Sequence, residues 1–292
     1  MTISKNSIDN LEKIINLQAD LDRVEINNVS YTGVLERPKN ELIQWLYSNL
    51  HTGHMIFDEI NFIKNLNDLN QQIITSVKDP GISVKSQKQT VNGKDYALIH
   101  GVRTTEKINE YNSVILPCFR PNLTPGFFMF VHTENGVHSS PIKRHYIYAD
   151  TPSYGIHLWS KCIEELVNKN IDFSAKILSS SNSYPRNDAL VFYSSKDYLK
   201  VEEILTQKVQ ENPRKVKFGS ILAKKISENL YTAEEPHMTN EIKQSFGEHR
   251  CNAIADAIQD HFITSVNFKL LLKQRLISYS INPEDLSKNF VK

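Results

Sequence analysis

The stretch FSAKILSSSNSYPRNDALVFYS, residues 173–194, decides the fold class. It opens on a run in which Phe173, Ala175 and Ile177 alternate to one face, the period-two pattern of a strand. It closes on DALVFYS, a second run of strand character, and the polar Ser/Asn/Pro segment between them has turn composition. The same texture extends upstream to the turn signal Asp79-Pro80-Gly81. ISVKSQ from Ile82, DYALIHGVR from Asp95, SVILPCF from Ser113, FFMFVH from Phe127 and RHYIYA from Arg144 all read as short strands. Asn92-Gly93 and Asn135-Gly136 are hairpin dipeptides.

Helices frame this region. One enters through Thr151, Pro152 and Ser153 and places Trp159, Ile163, Leu166 and Val167 on one face. Another is expected over residues 201–209. Ser245-Phe246-Gly247-Glu248 fits a capping box, followed by a stripe of Cys251, Ile254, Ala255, Ile258 and Phe262. Residues 8–75 read as mostly helical, from Ile8, Leu11, Ile14, Ile15 and Leu17 and again from Leu42, Leu46, Tyr47 and Leu50. The expected class is α+β. A helical N-terminal region (1–80) precedes a mixed, largely antiparallel sheet flanked by helices (81–292). The boundary near residue 80 separates subdomains of one continuous unit rather than independent domains.

Lys plus Arg number 34 and Asp plus Glu 33, a net charge of +1, which argues against a generic nucleic-acid binder. At 40% hydrophobic and 23% charged residues the chain can bury a core. Cys118, Cys162 and Cys251 form no CxxC pair, and their odd number argues against a disulfide framework. No signal-peptide core opens the sequence and no apolar run approaches the ~18 residues of a membrane span. A cytoplasmic protein is expected. Neither GxxxxGK[ST] nor GxGxxG occurs. His51 and His54 form an HxxH pair without a nearby carboxylate; the segment reads as a helix end, because zinc needs at least three protein ligands.

Four basic clusters stand out: Lys143-Arg144-His145, Lys176, Arg186 and His249-Arg250. Lys176 interrupts its strand and points to the face opposite Ala175. It is either a solvated edge lysine or a functional ammonium. Arg144 and Tyr146 share one face of their strand, Lys143 and His145 the other, and only one set can line a site. His249 and Arg250 fall in the first turns of the capped helix. A cation there opposes the helix dipole unless an anion binds the helix start or an acid such as Asp256 pairs with Arg250.

These residues have a family likeness. TPGFFMFV, RHYIYA, AKILSSSNSYPRNDALVFY and SFGEHRC, in that order, resemble the HopA-type effector family. That family includes bacterial type III effectors and lyase-like proteins encoded with class V lanthipeptide synthetases. The matching positions are Pro125 to Phe128, Arg144 and Tyr146, Lys176 to Leu178, Tyr184, Arg186, Asp188, Ala189, Val191, Tyr193, and Ser245 to Cys251. Phe128 stands where the pattern has Tyr. The central stretch is also distantly similar to type III phosphothreonine lyases, whose Lys base, His acid and phosphate-binding Arg match His145, Lys176 and Arg186 in order and spacing. The two likenesses favour opposite faces of the Arg144 strand unless a β-bulge intervenes.

The resemblance implies a phosphoserine/phosphothreonine lyase of lanthipeptide biosynthesis. It would eliminate phosphate from a precursor peptide to leave dehydroalanine or dehydrobutyrine. Lys176 would be the base and His145 or His249 the acid. Arg144, Arg186, Arg250 and Lys143 would hold the phosphate, with Tyr146, Tyr184, Asp188 and Tyr193 in support. No metal or cofactor is called for. The implied partners are the phosphorylated precursor peptide and separate kinase and cyclase proteins, with no nucleic acid and no membrane. A second reading belongs to another class: a non-catalytic module, effector-like or binding a phosphopeptide or leader peptide through the same arginines.

Overall fold

The runs from Phe127, Arg144, Phe173 and Asp188 pair into one sheet, whereas those from Ile82 and Ser113 pair with each other and that from Asp95 lies in a third, three-stranded sheet. The computed structural model describes residues 7–53, 66–99, 101–133, 141–216, 219–237 and 244–290. The elements, in chain order, begin with helix α1 (Ile8–Ile14), strands β1 (Ile15–Gln18), β2 (Arg23–Ile26) and β3 (Val29–Thr32), helix α2 (Lys39–Tyr47) and helix α3 (Asn70–Ser76). Strands β4 (Ile82–Lys85), β5 (Gln87–Val91), β6 (Lys94–Ile99), β7 (Val102–Thr104), β8 (Ser113–Leu116), β9 (Phe119–Thr124), β10 (Phe127–His132) and β11 (Lys143–Ala149) follow. The remainder is α4 (Pro152–Asn168), β12 (Phe173–Leu178), β13 (Arg186–Ser194), α5 (Tyr198–Glu211), β14 (Lys224–Ser227), β15 (Leu230–Glu234), α6 (Phe246–Thr264) and α7 (Phe268–Ser278).

The class is α+β. Seven strands form a sheet of order β14-β15-β11-β13-β12-β10-β9, and every ladder in it is antiparallel. Period two gives the sheet two faces. Phe128, Phe130, Phe173, Ala175, Phe192 and Ile147 lie in one core with Trp159, Ile163 and Leu205 of α4 and α5. Tyr146, Val191, Tyr231 and Ala233 lie in a second core with Leu46, Leu50, Phe246, Ile254 and Leu272. The N-terminal residues therefore bury their apolar side chains against the sheet itself.

Local chemistry explains the helix ends. Thr151 Oγ1 accepts from Tyr154 N, with Pro152 in the first turn of α4. Both reciprocal bonds of the capping box form at α6, Glu248 N to Ser245 Oγ and Ser245 N to Glu248 Oε2. Asn92-Gly93 makes the β5–β6 hairpin with both residues at positive φ. Asn135-Gly136 and His54 lie outside the described residues.

One expectation fails in detail. Residues 15–32, apart from one 3-10 turn at Ala19–Leu21, are not helical but form the antiparallel meander β1-β2-β3. Asn27 and Asn28 both take positive φ, a hairpin turn in the left-handed region that Asn tolerates. The apolar spacing of residues 8–17 suits a helix, but α1 stops at Ile14 and Ile15 is already extended. Phe128 is wholly buried beside Phe119, at 5.5 Å between rings. A tyrosine hydroxyl there would sit in the core.

Trp159 is fully buried, edge-on to Phe130. Trp159→Ala is expected to cost about 3–5 kcal/mol of stability. Urea unfolding followed by far-UV circular dichroism checks this.

Candidate functional site

The register places the predicted residues on two sides of the sheet. Arg144 lies opposite Tyr193 and Tyr146 opposite Val191; Val191 faces Lys176, and Lys176 faces Met129. Directly paired residues share a face. Arg144, Tyr146, Tyr193 and Lys176 therefore lie on the face turned toward α2 and α6. Lys143 and His145 lie on the other. The β11–β13 register is unbroken from Lys143 to Ile147 and shifts only between Ile147 and Ala149. No bulge brings His145 round to the Arg144 side.

That later irregularity shapes the site. Extra residues of β13 are accommodated where Ala149 faces Arg186. Arg186 Nε and Nη2 donate to Asp188 Oδ1 and Oδ2 at 2.7 and 2.8 Å, a bidentate pair. Burial pushes the Asp188 carboxyl up, but the Arg186 guanidinium outweighs it and holds the group well below the carboxylate range. The Arg186 guanidinium also lies 5.7 Å from the Phe127 ring centre, and Lys176 Nζ is 4.0 Å from the same ring. Among the described residues no carboxylate comes within ion-pair distance of Lys176.

Arg144 is buried and paired with Glu235. Its Nη2 donates to Oε1 at 2.6 Å, its Nε donates to Oε2, and its guanidinium lies 5.2 Å from the Tyr193 ring centre. Burial works against the charge on Arg144, and its tyrosine and glutamate neighbours more than offset it.

The chain before residue 80 closes the face. After α2 the backbone makes one π-helical turn over Ser48–Thr52. His51 is buried there, edge-on to Tyr146 at 5.0 Å and with Nδ1 2.8 Å from Ser220 Oγ. Burial pushes His51 down to about 4; Asp188 opposes, while Arg186, Arg144 and Lys176 push it further down. The imidazole thus senses three cations and one carboxylate of the same face.

Other predicted residues sit elsewhere. His145 Nε2 is 3.1 Å from Glu202 Oε2 under α5. Lys143 pairs with Glu234 at 2.8 Å. The Tyr184 hydroxyl donates to Leu178 O and packs against Gly155 of α4. Arg250 is wholly buried, and among the described residues no carboxylate pairs with it. It donates to Leu286 O, Lys288 O and Asn289 Oδ1 at 3.2, 3.4 and 3.0 Å, and burial lowers it to about 9. Its Nη1 lies 3.0 Å from His249 Nδ1, so that nitrogen accepts and the His249 ring is neutral. Asp256 instead pairs with Lys39 and accepts from Tyr279. The Glu248 carboxylate takes the anion position at the start of α6.

Sequence reasoning took Tyr47 only as part of a helical stripe and His51 only as half of an HxxH pair, and it passed over Glu235. Tyr47 and His51 are four residues apart, which puts them on one helical face; that was the signal available for them. Glu235 carries no local signal. Among the described residues no group of three or more His, Cys, Asp or Glu side chains could hold a metal ion. No helix among them is long and apolar enough to cross a membrane.

Residues 118–287, more than half of the chain, match the model of the HopA1 effector protein family. The chain belongs to this family. The matched segment holds Arg144, Lys176, Arg186, Asp188, Tyr193 and Glu235, whereas Tyr47 and His51 precede it. Among solved structures, the chain is similar to an effector protein from Pseudomonas syringae pv. tomato strain DC3000, at 19% identity and a TM-score of 0.45. That alignment covers 56% of this chain and 63% of the other. An effector protein from Pseudomonas syringae pv. syringae strain 61 is similar at 17% identity and a TM-score of 0.44, covering 57% and 64%. The chain thus spans less than two thirds of the length of these two effector structures. No match is found among curated proteins.

The two buried histidines set an acid limit. His51 and His249 are held near 4 and near 3, in each case first by burial, whereas in the unfolded chain both titrate near 6.5. Between these values the unfolded chain binds more protons, so stability is full above about pH 6.5 and falls as pH drops toward 4. His249→Asn is expected to flatten this dependence by up to about one proton. Denaturant midpoints measured from pH 7 to 5 check it, and an unchanged slope would refute it.

Proposed function

We propose that this HopA1-family protein is a metal-independent phosphoserine/phosphothreonine lyase acting on a phosphorylated precursor peptide in the cytoplasm. In this reading it works in lanthipeptide biosynthesis, beside a separate kinase and cyclase. The observation that carries the reading is the joint placement of Lys176, Arg186 and Arg144 on one sheet face. Among the described residues, Asp188 and Glu235 orient the two arginines and no carboxylate lies within ion-pair distance of Lys176.

The chemistry follows from that arrangement. The Lys176 amine takes the α-proton of the phosphorylated residue. The released electron pair forms the Cα–Cβ double bond, the Cβ–O bond breaks, and phosphate leaves with the bond electrons. Arg186 and Arg144 receive its growing charge. Returning the proton from Lys176 to the phosphate closes the balance as a dehydro residue plus hydrogen phosphate. His145 faces the opposite side of the sheet and the His249 ring is shut against Arg250 and Tyr279, so neither is given the acid role.

Incubation with a phosphothreonine peptide, read by mass spectrometry, tests this. Elimination removes the mass of phosphoric acid, whereas hydrolysis leaves a hydroxyl behind. Lys176→Ala is expected to lower the rate by about 10²–10⁴-fold with the fold intact. Full activity in that variant would remove Lys176 as the base. Tight binding of the peptide without turnover by the wild type would favour the non-catalytic phosphopeptide-binding reading.

A further inference from the structure

We infer that Tyr47, which lies ahead of the family-matched segment, is a positioning residue for Arg186, acting through Asp188. The inference rests on the reading of Arg186 as a phosphate ligand and adds the element that holds it in place. The Tyr47 hydroxyl donates to Asp188 Oδ2 at 3.3 Å, the same oxygen that accepts Arg186 Nη2 at 2.8 Å.

Three elements fix where that hydroxyl sits. Asn187, between Arg186 and Asp188 in sequence, donates from Nδ2 to His51 O at 2.8 Å. Ile221 N donates to Leu50 O at 2.8 Å. These bonds tie the turn after α2 to β13 and to the segment before β14. From the third side the first turn of α6 closes on the ring: a Cβ on Gly247 would meet Tyr47 Cε2 at 2.3 Å and His51 Cδ2 at 2.8 Å. Glycine permits that approach, and the α6 backbone stands against the ring on that side.

The pairing has a consequence for binding. A buried guanidinium and carboxylate hold one geometry only when their remaining hydrogen-bonding positions are also met. With Asp188 held by Tyr47, Arg186 keeps its Nε and Nη2 edge on the carboxylate, and Nη1 stays out of that pairing. Without the phenol the carboxylate has room to tilt, and the guanidinium follows it.

Tyr47→Phe in the full chain keeps the ring and removes only the hydroxyl. The affinity for a phosphothreonine peptide, by calorimetry, is expected to fall about three- to tenfold, the worth of one hydrogen bond, with the thermal midpoint nearly unchanged. In an Asp188→Asn background the same change should have no further effect, because coupled residues are not additive. Exchange of the Arg186 Nε–H proton, followed by nuclear magnetic resonance, should quicken in Tyr47→Phe. An equal loss of affinity in both backgrounds, or unaltered Nε–H exchange, overturns the inference. If the wild type binds no phosphothreonine peptide, the lyase reading fails on its own account, and the Nε–H exchange still decides whether Tyr47 positions Arg186.

Discussion

The ion pair of Arg186 with Asp188 is the constraint around which the rest of this face is arranged. A buried charge is tolerated only with a partner of good geometry, and this pair is bidentate. The two residues are only two apart on β13, and regular alternation alone would leave each facing its cross-strand neighbour. The pair forms where the register opposite Ala149 is irregular. Asn187, caught between them, reaches out to the turn after α2. One short irregular segment thus creates the cation, neutralises it and attaches the N-terminal part of the chain.

The sheet's alternation does the sorting. Arg144 and His145 are neighbours in sequence, and both are buried, yet they serve different cores. Arg144 meets Glu235 and Tyr193, whereas His145 meets Glu202 on α5. A spacing argument that treats Lys143-Arg144-His145 as one basic cluster therefore merges two environments. The unbroken ladders on both sides of β11 keep them apart.

What was legible in the sequence follows the range of each signal. Period-two alternation in FSAKIL and RHYIYA, the capping box at Ser245 and the Pro-containing start of α4 are local, and the structure has them where the sequence puts them. The meander over residues 15–32 was hidden, because its turn uses Asn27-Asn28 rather than a glycine pair and its strands are four residues long. Tyr47 and His51 were hidden for another reason. Their role depends on the start of α6 and on β13, some 140 to 200 residues away in the chain, and no local pattern encodes that meeting. Lys176 was legible as an anomaly, a cation in a half-buried strand, because anomaly needs no partner to be seen.

Arg144, Arg186 and Arg250 show why residue type alone does not assign a phosphate ligand. A guanidinium has five donors on three nitrogens. Arg250 spends all three nitrogens on His249, two carbonyls and an amide oxygen, which ties residues 286–289 under α6. Nothing in that set balances its charge, and burial lowers it to about 9. Arg144 and Arg186 each commit Nε and Nη2 to one carboxylate and leave Nη1 outside that pairing. Their carboxylates keep them charged despite burial. In the proposed reading an anion held by Arg144 and Arg186 would meet guanidinium groups already oriented by their carboxylates, so little rearrangement would be needed to receive it. The same carboxylates temper the charge of the two arginines, and among the described residues no carboxylate lies within ion-pair distance of Lys176.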